Sequence, residues 1–287
     1  MLEQLLYQGM IGLSLAMFLW LVAAGLTLIF GVLGVLNFAH GSLYMLGAYL
    51  SYSAVRILGM DFWVGLAVGP LLVALVGGLM ERLFIRRVYH IDEAYQLLLT
   101  FAFILIFADL VKWGWGPVYQ SAPVPGFLAG AISILGRPFP VYNLFVIALG
   151  PLVGLGLWLL LEKSWWGRTI RAAAADREMA AAIGVNVPGL FTGVFMFGSW
   201  LGGVGGALGI PIRTVSPGMA EDYIIQAFAV AVIGGLGNLK GAFFGSILIG
   251  LVNAYGHLYA PVFELAFMYI LMAAILLVRP QGLFGAS

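Results

Sequence analysis

Long apolar runs separated by short polar stretches make up most of this chain. The runs are continuous rather than ten-residue alternations, which favours membrane-spanning helices over the strands of a membrane barrel. Because hydrocarbon offers no hydrogen-bond partners, each span must satisfy its backbone groups internally. Seven of the runs predict spans, near residues 9–33, 43–58, 62–80, 95–111, 141–161, 188–210 and 263–279.

A further apolar region, residues 224–256, is interrupted by glycines. Its two arms, 224–236 and 241–256, are shorter than the ~20 residues that a spanning helix needs. They are therefore interpreted either as two short spans or as a re-entrant pair. The prediction is an all-α chain, a polytopic transmembrane helix bundle of about eight membrane segments, some broken or re-entrant. It forms a single transmembrane domain over residues 1–287.

The composition excludes a soluble domain. Of 287 residues, 63% are hydrophobic and 9% are charged, whereas a soluble domain carries about 25% charged residues. The 40 glycines suit close packing of helices in lipid. The net charge of +1, without a basic run, gives no indication of nucleic-acid binding. With no cysteine there is no disulfide or thiolate metal site, and with no basic residue before Arg56 the first run is expected to be a retained span.

Three polar segments concentrate the basic residues, and the positive-inside bias predicts that they face the cytoplasm. These segments are residues 81–94, residues 162–187 and the C-terminus at Arg279. Three spans before the first of them would place the N-terminus outside, whereas a re-entrant 43–58 would place it inside. The segments 112–140 and 211–223 are then expected on the outer side.

The longest polar interruption is WWGRTIRAAAADREMAAAIGVN, residues 165–186. Alanine is the best helix former, so the pattern predicts a helix over about 167–184, with Gly184 as its stop. A narrow face of mostly small side chains would run along it. That face consists of Ala172, Ala175, Met179, Ala182 and Ile183. Such a helix between membrane spans is interpreted as a docking surface, and a solvated connecting helix is the alternative.

Two glycine-flanked stretches, Gly34–Tyr44 and Gly234–Phe244, place polar residues inside apolar blocks. Interrupted segments in corresponding positions of two halves indicate a translocation pathway in transporters built from repeats. Tight helix crossings are the alternative explanation. The candidate pathway residues are Asn37, His40, Gly41, Ser42, Gly234, Gly235, Asn238 and Gly241.

No motif indicates an enzyme. The chain has no GxxxxGK[ST] loop, no HExxH and no GxSxG, and its three histidines are scattered. No catalytic residue, metal site or cofactor is therefore predicted. A chain of this kind that moves solute against a gradient must take its energy from a partner or from an ion.

Three stretches resemble the high-affinity branched-chain amino acid transport permeases and their urea- and amide-uptake relatives. They are Gly25–Tyr49, which contains the sequence NFAHG, Gly167–Asn186 and Gln226–Gly250. The resemblance runs nearly from end to end. One departure is Lys240, where a small residue or proline would be expected in the family.

The resemblance implies an ABC importer permease fold in a bacterial inner membrane, crossed many times. It also implies the partners: a second homologous permease subunit, two cytoplasmic ABC ATPase subunits that bind the ATP, and a periplasmic solute-binding protein. The segment 167–184 would be the coupling helix that sits in a cleft of the ATPase. Its expected coupling residues are Arg168, Arg171, Asp176, Arg177, Glu178 and Gly184.

The function that this resemblance implies is the permease subunit of an ATP-driven importer for branched-chain or other hydrophobic amino acids, or related small solutes. The alternative is a stand-alone channel or secondary carrier for a small polar solute such as urea. An intramembrane enzyme is disfavoured, because the sequence offers no nucleophile–base or metal constellation.

Overall fold

The computed structural model describes residues 2–134 and 136–285, and these are mostly helical. Two π-helical turns, Ser53–Ile57 and Leu159–Lys163, prolong α2 (His40–Tyr52) and α5 (Val141–Trp158). An antiparallel hairpin of β1 (Ala131–Ile134) and β2 (Arg137–Pro140) precedes α5. The helices are α1 (Leu2–Leu33), α2 (His40–Tyr52), α3 (Phe62–Leu83), α4 (Glu93–Trp115), α5 (Val141–Trp158), α6 (Trp165–Ala175), α7 (Arg177–Ala182), α8 (Val187–Gly209), α9 (Met219–Gly234), α10 (Leu239–Tyr259) and α11 (Glu264–Val278).

Seven helices among the described residues are long and apolar enough to span a membrane, which confirms the prediction of an all-α transmembrane bundle. They are α1, α3, α4, α5, α8, α10 and α11, counted with their adjoining turns. The prediction that 241–256 is a short arm is wrong, because α10 has 21 residues. It begins early because Asn238 caps it, accepting a hydrogen bond of 3.0 Å from the Gly241 amide. The predicted span at 43–58 is instead the 13-residue helix α2, which is not among the seven, and α2 and the 16-residue α9 pack inside the bundle.

Helix α1 is the centre of the bundle. It packs against α2, α5, α8, α9 and α10, and 83% of its most apolar window is buried, against 6% for α11. Its closest neighbour is α10. A Cβ atom on Gly12 would lie 2.9 Å from the Gly250 carbonyl oxygen, so glycine at this crossing lets the two backbones touch.

The three basic segments meet at one end of the bundle, as their charge predicts. Arg86 Nη2 donates to the Pro188 carbonyl at 3.0 Å, which joins the 81–94 segment to the start of α8. The C-terminal segment returns to the same end, where the Leu283 amide donates to the Ile233 carbonyl at 2.8 Å. By the positive-inside rule this is the cytoplasmic end.

The opposite end gathers the segments that were predicted to lie outside. The Tyr7 hydroxyl donates to the Pro138 carbonyl at 3.0 Å, and the Gln120 amide donates to the Val215 carbonyl at 2.9 Å. The start of α1 therefore lies at the outer end. This arrangement agrees with three membrane passes before residue 81 and not with a re-entrant 43–58.

Candidate functional site

The cytoplasmic segment after α5 folds into two helices, where the sequence predicts one. Helix α6 begins after Ser164, whose Oγ accepts a hydrogen bond of 3.0 Å from the Gly167 amide. It ends at Asp176, where φ is −150° and ψ is 105°, and Asp176 Oδ1 accepts a bond of 2.9 Å from the Met179 amide to start α7. Aspartate competes for backbone amides and so favours a cap over a helix interior, which explains the break.

Gly184 ends α7, as the sequence predicts. Its φ of +93° is left-handed. The Gly184 amide donates to the Ala181 carbonyl and the Val185 amide donates to the Ala180 carbonyl, both at 3.0 Å. These two bonds form a Schellman motif, in which glycine is favoured because it carries no Cβ.

The predicted face of mostly small side chains is exposed at the cytoplasmic end. Met179 is 61% and Ile183 is 72% exposed, while Ile170, Ala173 and Ala180 on the other sides of these helices are buried. We call the exposed set the docking face: Ala172, Ala175, Met179, Ala182 and Ile183. Exposed apolar side chains in a patch mark an interaction surface. The partner of this face stays a prediction.

The charged residues of this segment divide into two groups. Arg168 and Glu178 are exposed and reach solvent beside the docking face. Arg171 instead donates to the Leu161 carbonyl and lies 3.5 Å from Glu162, at the end of α5. Asp176 is used as the cap of α7. The structure therefore leaves Arg168 and Glu178 as the charges open to a partner.

Arg177 points into the bundle, although the sequence places it among the residues that face a partner. Its Nη2 donates to the Leu33 carbonyl at 2.8 Å, and its guanidinium lies 4.9 Å from the Phe191 ring centroid and 5.9 Å from that of Tyr89. The physical reason is that α1 ends with carbonyl groups that lack helical partners and attract a cation. Arg177 anchors α7 to α1 and α8.

A buried carboxylate, which sequence reasoning missed, fixes the neighbouring turn. Glu81 is fully buried. Its carboxylate accepts hydrogen bonds from Arg86 Nη2 at 3.0 Å, from the Tyr89 hydroxyl at 2.7 Å and from the Thr192 hydroxyl at 2.7 Å. Burial raises the pKa of Tyr89, and its bond to Glu81 raises that pKa further, so the phenol stays protonated and donates. The hydrogen bond to Glu81 likewise raises the pKa of Arg86. This cluster joins α3 to the first turns of α8.

The first predicted break lies deep in the bundle. Asn37, His40 and Ser42 are completely buried, and His40 Nε2 lies 3.0 Å from the Val22 carbonyl oxygen. Val22 is about 16 Å along α1 from Leu33, so α2 begins well inside the membrane. Both amide atoms of Asn37, His40 Nδ1 and the Ser42 hydroxyl have no hydrogen-bond partner among the described residues. Buried polar groups normally have a hydrogen-bond partner, and the assignment of these three residues to a solute pathway stays a prediction.

The start of α2 meets the start of α9 at this depth. A Cβ atom on Gly41 would lie 2.1 Å from the Ala220 carbonyl oxygen, and the rings of Tyr44 and Tyr223 have centroids 4.1 Å apart. Two interrupted helices whose ends meet within the bundle are the arrangement expected around a solute pathway.

The second predicted break lies elsewhere. Gly234 and Gly235 end α9 at the cytoplasmic end, where Asn238 Nδ2 donates to the Phe284 carbonyl at 2.7 Å. Gly241 packs against Gly234 with no room for a Cβ atom. The two breaks that the sequence aligns are therefore at different depths, and the structure does not bring them together. The second is a tight turn that holds the C-terminal segment.

A many-spanning bundle with buried polar breaks and an exposed helical surface at its cytoplasmic end has the architecture of a membrane transport permease. The sequence model of the family described as branched-chain amino acid transport system, permease component, matches residues 10–278. The chain belongs to this family.

Relatives of known function agree with this assignment. The chain is 28% identical to the high-affinity branched-chain amino acid transport system permease protein BraD of Pseudomonas aeruginosa, over 96% of this chain and 94% of that protein. It is 28% identical to LivH of Escherichia coli, which carries the same description, over 99% of this chain and 97% of that protein. Among solved structures, PsaBC from Streptococcus pneumoniae in complex with Fab has a TM-score of 0.52 at 14% identity, covering 93% of this chain and 89% of that one, which shows a shared fold.

Proposed function

We propose that this chain is the membrane-spanning subunit of an ATP-driven importer of branched-chain amino acids. It would work beside a second homologous permease subunit and receive solute from a periplasmic binding protein. Two cytoplasmic ABC ATPase subunits would hydrolyse the ATP, so the chain itself would need no cofactor. The observation that carries the proposal is the docking face, which is apolar, exposed and anchored to the bundle from behind.

The docking face suits a cleft on an ATPase subunit. Alanine side chains permit close approach, and Arg168 and Glu178 beside them can fix the register through charge-assisted hydrogen bonds. A displacement of α7 would reach α1 and α8 through Arg177. It would reach α3 through α8 and the Glu81 cluster. The spans would then rock between outward-open and inward-open states.

The substrate is assigned from the relatives. BraD and LivH are named as branched-chain amino acid permeases, and both match almost the full length of this chain. The first break offers Asn37, His40 and Ser42 rather than a fixed carboxylate or an arginine. Such a lining suits a solute without net charge.

Co-purification tests the docking face. Met179→Glu places a charge in the patch that an ATPase would cover, and we expect loss of the co-expressed ATPase subunits and of ATP-dependent leucine uptake. Ile132→Glu is the matched control for co-purification, because Ile132 is 51% exposed at the outer end, away from the docking face, and it should keep the ATPase subunits. Retention of the ATPase by Met179→Glu would contradict the proposal.

Uptake by reconstituted vesicles distinguishes an importer from a channel. Leucine uptake should require the complete complex and ATP, and excess isoleucine or valine should compete with it, whereas urea should not. Full uptake by this chain alone in ATP-free vesicles would instead establish a channel or a secondary carrier.

A further inference from the structure

A groove of about 970 Å³ opens on the surface of the bundle between α1, α5, α6 and α10. Along α1 it runs from Trp20 to Val32, which is ~18 Å of helix. That length is close to half of the ~30 Å hydrocarbon core, which is one leaflet. Since Val32 is next to the cytoplasmic end of α1, the groove lies at the depth of the inner leaflet.

The walls of the groove are apolar where they lie in the membrane. Leucine and aromatic side chains line it from three helices, and glycines give it depth. The apolar lining includes Leu28, Phe30, Leu155, Leu157, Phe243 and Phe244. A surface of this kind accepts an acyl chain.

The cytoplasmic rim of the groove is basic. Arg171 on α6 and Lys240 on α10 both line it, together with Glu162. Lys240 is exposed and forms no ion pair in the part of the chain that the structure describes. The Arg171–Glu162 pair is 3.5 Å long with both side chains about half exposed, so it is weak and readily exchanged. Arg171 also donates to the Leu161 carbonyl through Nη1, which leaves its other N–H groups for a ligand. A rim of two cations and one carboxylate favours an anion.

We propose that the groove binds an anionic phospholipid of the inner leaflet. Its phosphate would lie between Arg171 and Lys240, and an acyl chain would fill the apolar part of the groove. Basic pockets between spans on the cytoplasmic side are known to favour anionic headgroups.

The site connects the lipid to the moving part of the protein. Arg171 belongs to α6, which carries Ala172 and Ala175 of the docking face, and Lys240 belongs to the first turn of α10. A phosphate bound by both would hold α6 against α10. The binding itself does not depend on the solute that the permease carries.

Native mass spectrometry of the detergent-purified full chain tests the headgroup contact, with phosphatidylglycerol and phosphatidylethanolamine as probes. The wild-type chain should retain phosphatidylglycerol in preference to phosphatidylethanolamine. The double variant Arg171→Ala, Lys240→Gln should bind it on the order of tenfold more weakly. Arg168→Ala is the matched control, because Arg168 is an exposed cation of the same helix that does not line the groove. Its affinity for the lipid should equal that of wild type.

A second pair of variants tests the groove without changing charge. Gly154→Leu fills the groove, since Gly154 lines it and an added Cβ would meet the Trp20 ring only at 3.7 Å. Gly156→Leu lies on the same helix, outside the groove, with open space around it. Phosphatidylglycerol binding should fall in Gly154→Leu alone.

Three results would overturn the proposal. The first is equal retention of the two lipids by wild type, and the second is wild-type affinity in the double variant or in Gly154→Leu. The third is a structure of the assembled complex with a partner's helix in the groove. Inorganic phosphate should not displace the lipid, because it cannot use the apolar wall, and displacement would show that the rim binds a free anion.

Discussion

The Arg177 guanidinium donates a hydrogen bond of 2.8 Å to the carbonyl oxygen of Leu33, 144 residues earlier in the chain. This bond ties the segment that carries the docking face to the last turn of the central helix. Charged hydrogen bonds contribute about 1.5–3 kcal/mol, and a guanidinium over an aromatic ring adds about 0.5–2 kcal/mol. Arg177 is therefore expected to matter for coupling rather than for contact with a partner.

Arg177→Ala should separate ATPase binding from transport. We expect co-purification of the ATPase subunits to persist while ATP-dependent uptake falls severalfold, because the exposed face remains but its anchor is lost. Arg177→Lys should recover part of the uptake, since lysine keeps the charge but not the planar fork. Uptake in proteoliposomes, measured beside pull-down of the ATPase, checks both. Loss of the ATPase from Arg177→Ala would place Arg177 in the interface itself.

Glu81→Ala should destabilise the protein by about 3 kcal/mol, because it leaves Arg86 without its buried carboxylate and the Tyr89 hydroxyl without its acceptor. Glu93→Ala is the control, because Glu93 is exposed, and it should change stability by less than about 0.5 kcal/mol. Unfolding in detergent, followed by circular dichroism against denaturant, measures both. Equal stability of the two variants would show that the cluster contributes nothing.

Gly184→Ala should cost about 1 kcal/mol through the backbone alone. No atom lies within 4 Å of the Cβ that it adds, but φ is +93°. Gly193 also has open space around it and lies within α8, so Gly193→Ala should be neutral or stabilising. Comparing the thermal unfolding of the two variants measures the backbone cost at Gly184 without a packing contribution, because neither added Cβ has a neighbour within 4 Å. A neutral Gly184→Ala would contradict the Schellman stop.

Gly206→Ala should force α8 away from α2. The added Cβ would lie 2.0 Å from the Tyr44 carbonyl oxygen, a backbone atom that cannot move alone. We expect a loss of about 3 kcal/mol or more and little uptake, because overpacking at a backbone contact shifts both helices. Gly114→Ala has no neighbour within 4 Å and serves as the control. Expression level and fluorescence-detected size exclusion report the difference.

The hydrophobic pattern predicted six of the seven spanning helices, because a 20-residue apolar run has few alternatives in lipid. It missed the full length of α10 and assigned a span to 43–58, where α2 has 13 residues. The grouping of the basic segments was also predictable, because Lys and Arg concentrate in the cytoplasmic loops of membrane proteins. Ala172, Ala175 and Met179 are exposed as the sequence predicts, although the break at Asp176 means that one helical spacing does not join them. Each of these inferences uses local sequence only.

The features that the sequence analysis missed depend on contacts between distant segments. Glu81 meets Thr192 across 111 residues, and Arg177 turns inward only because the end of α1 lies there. The two breaks look alike in sequence, but their depth is set by the packing of α2 against α8 and α9. The cap at Asp176 was the one local signal available, because aspartate followed by Glu178 in the next turn is a helix start.

Helix α1 has 32 residues and a length of ~48 Å, well beyond the ~30 Å of hydrocarbon around it. At its inner end the Leu33 carbonyl accepts a hydrogen bond from Arg177. At its outer end the Leu5 carbonyl accepts one of 2.9 Å from the Tyr255 hydroxyl. Because both ends of α1 are bonded to other helices, a tilt of α1 would have to carry α7 and α10 with it. A tilt of about 5° at the inner end would swing the outer mouth by about 4 Å over that length.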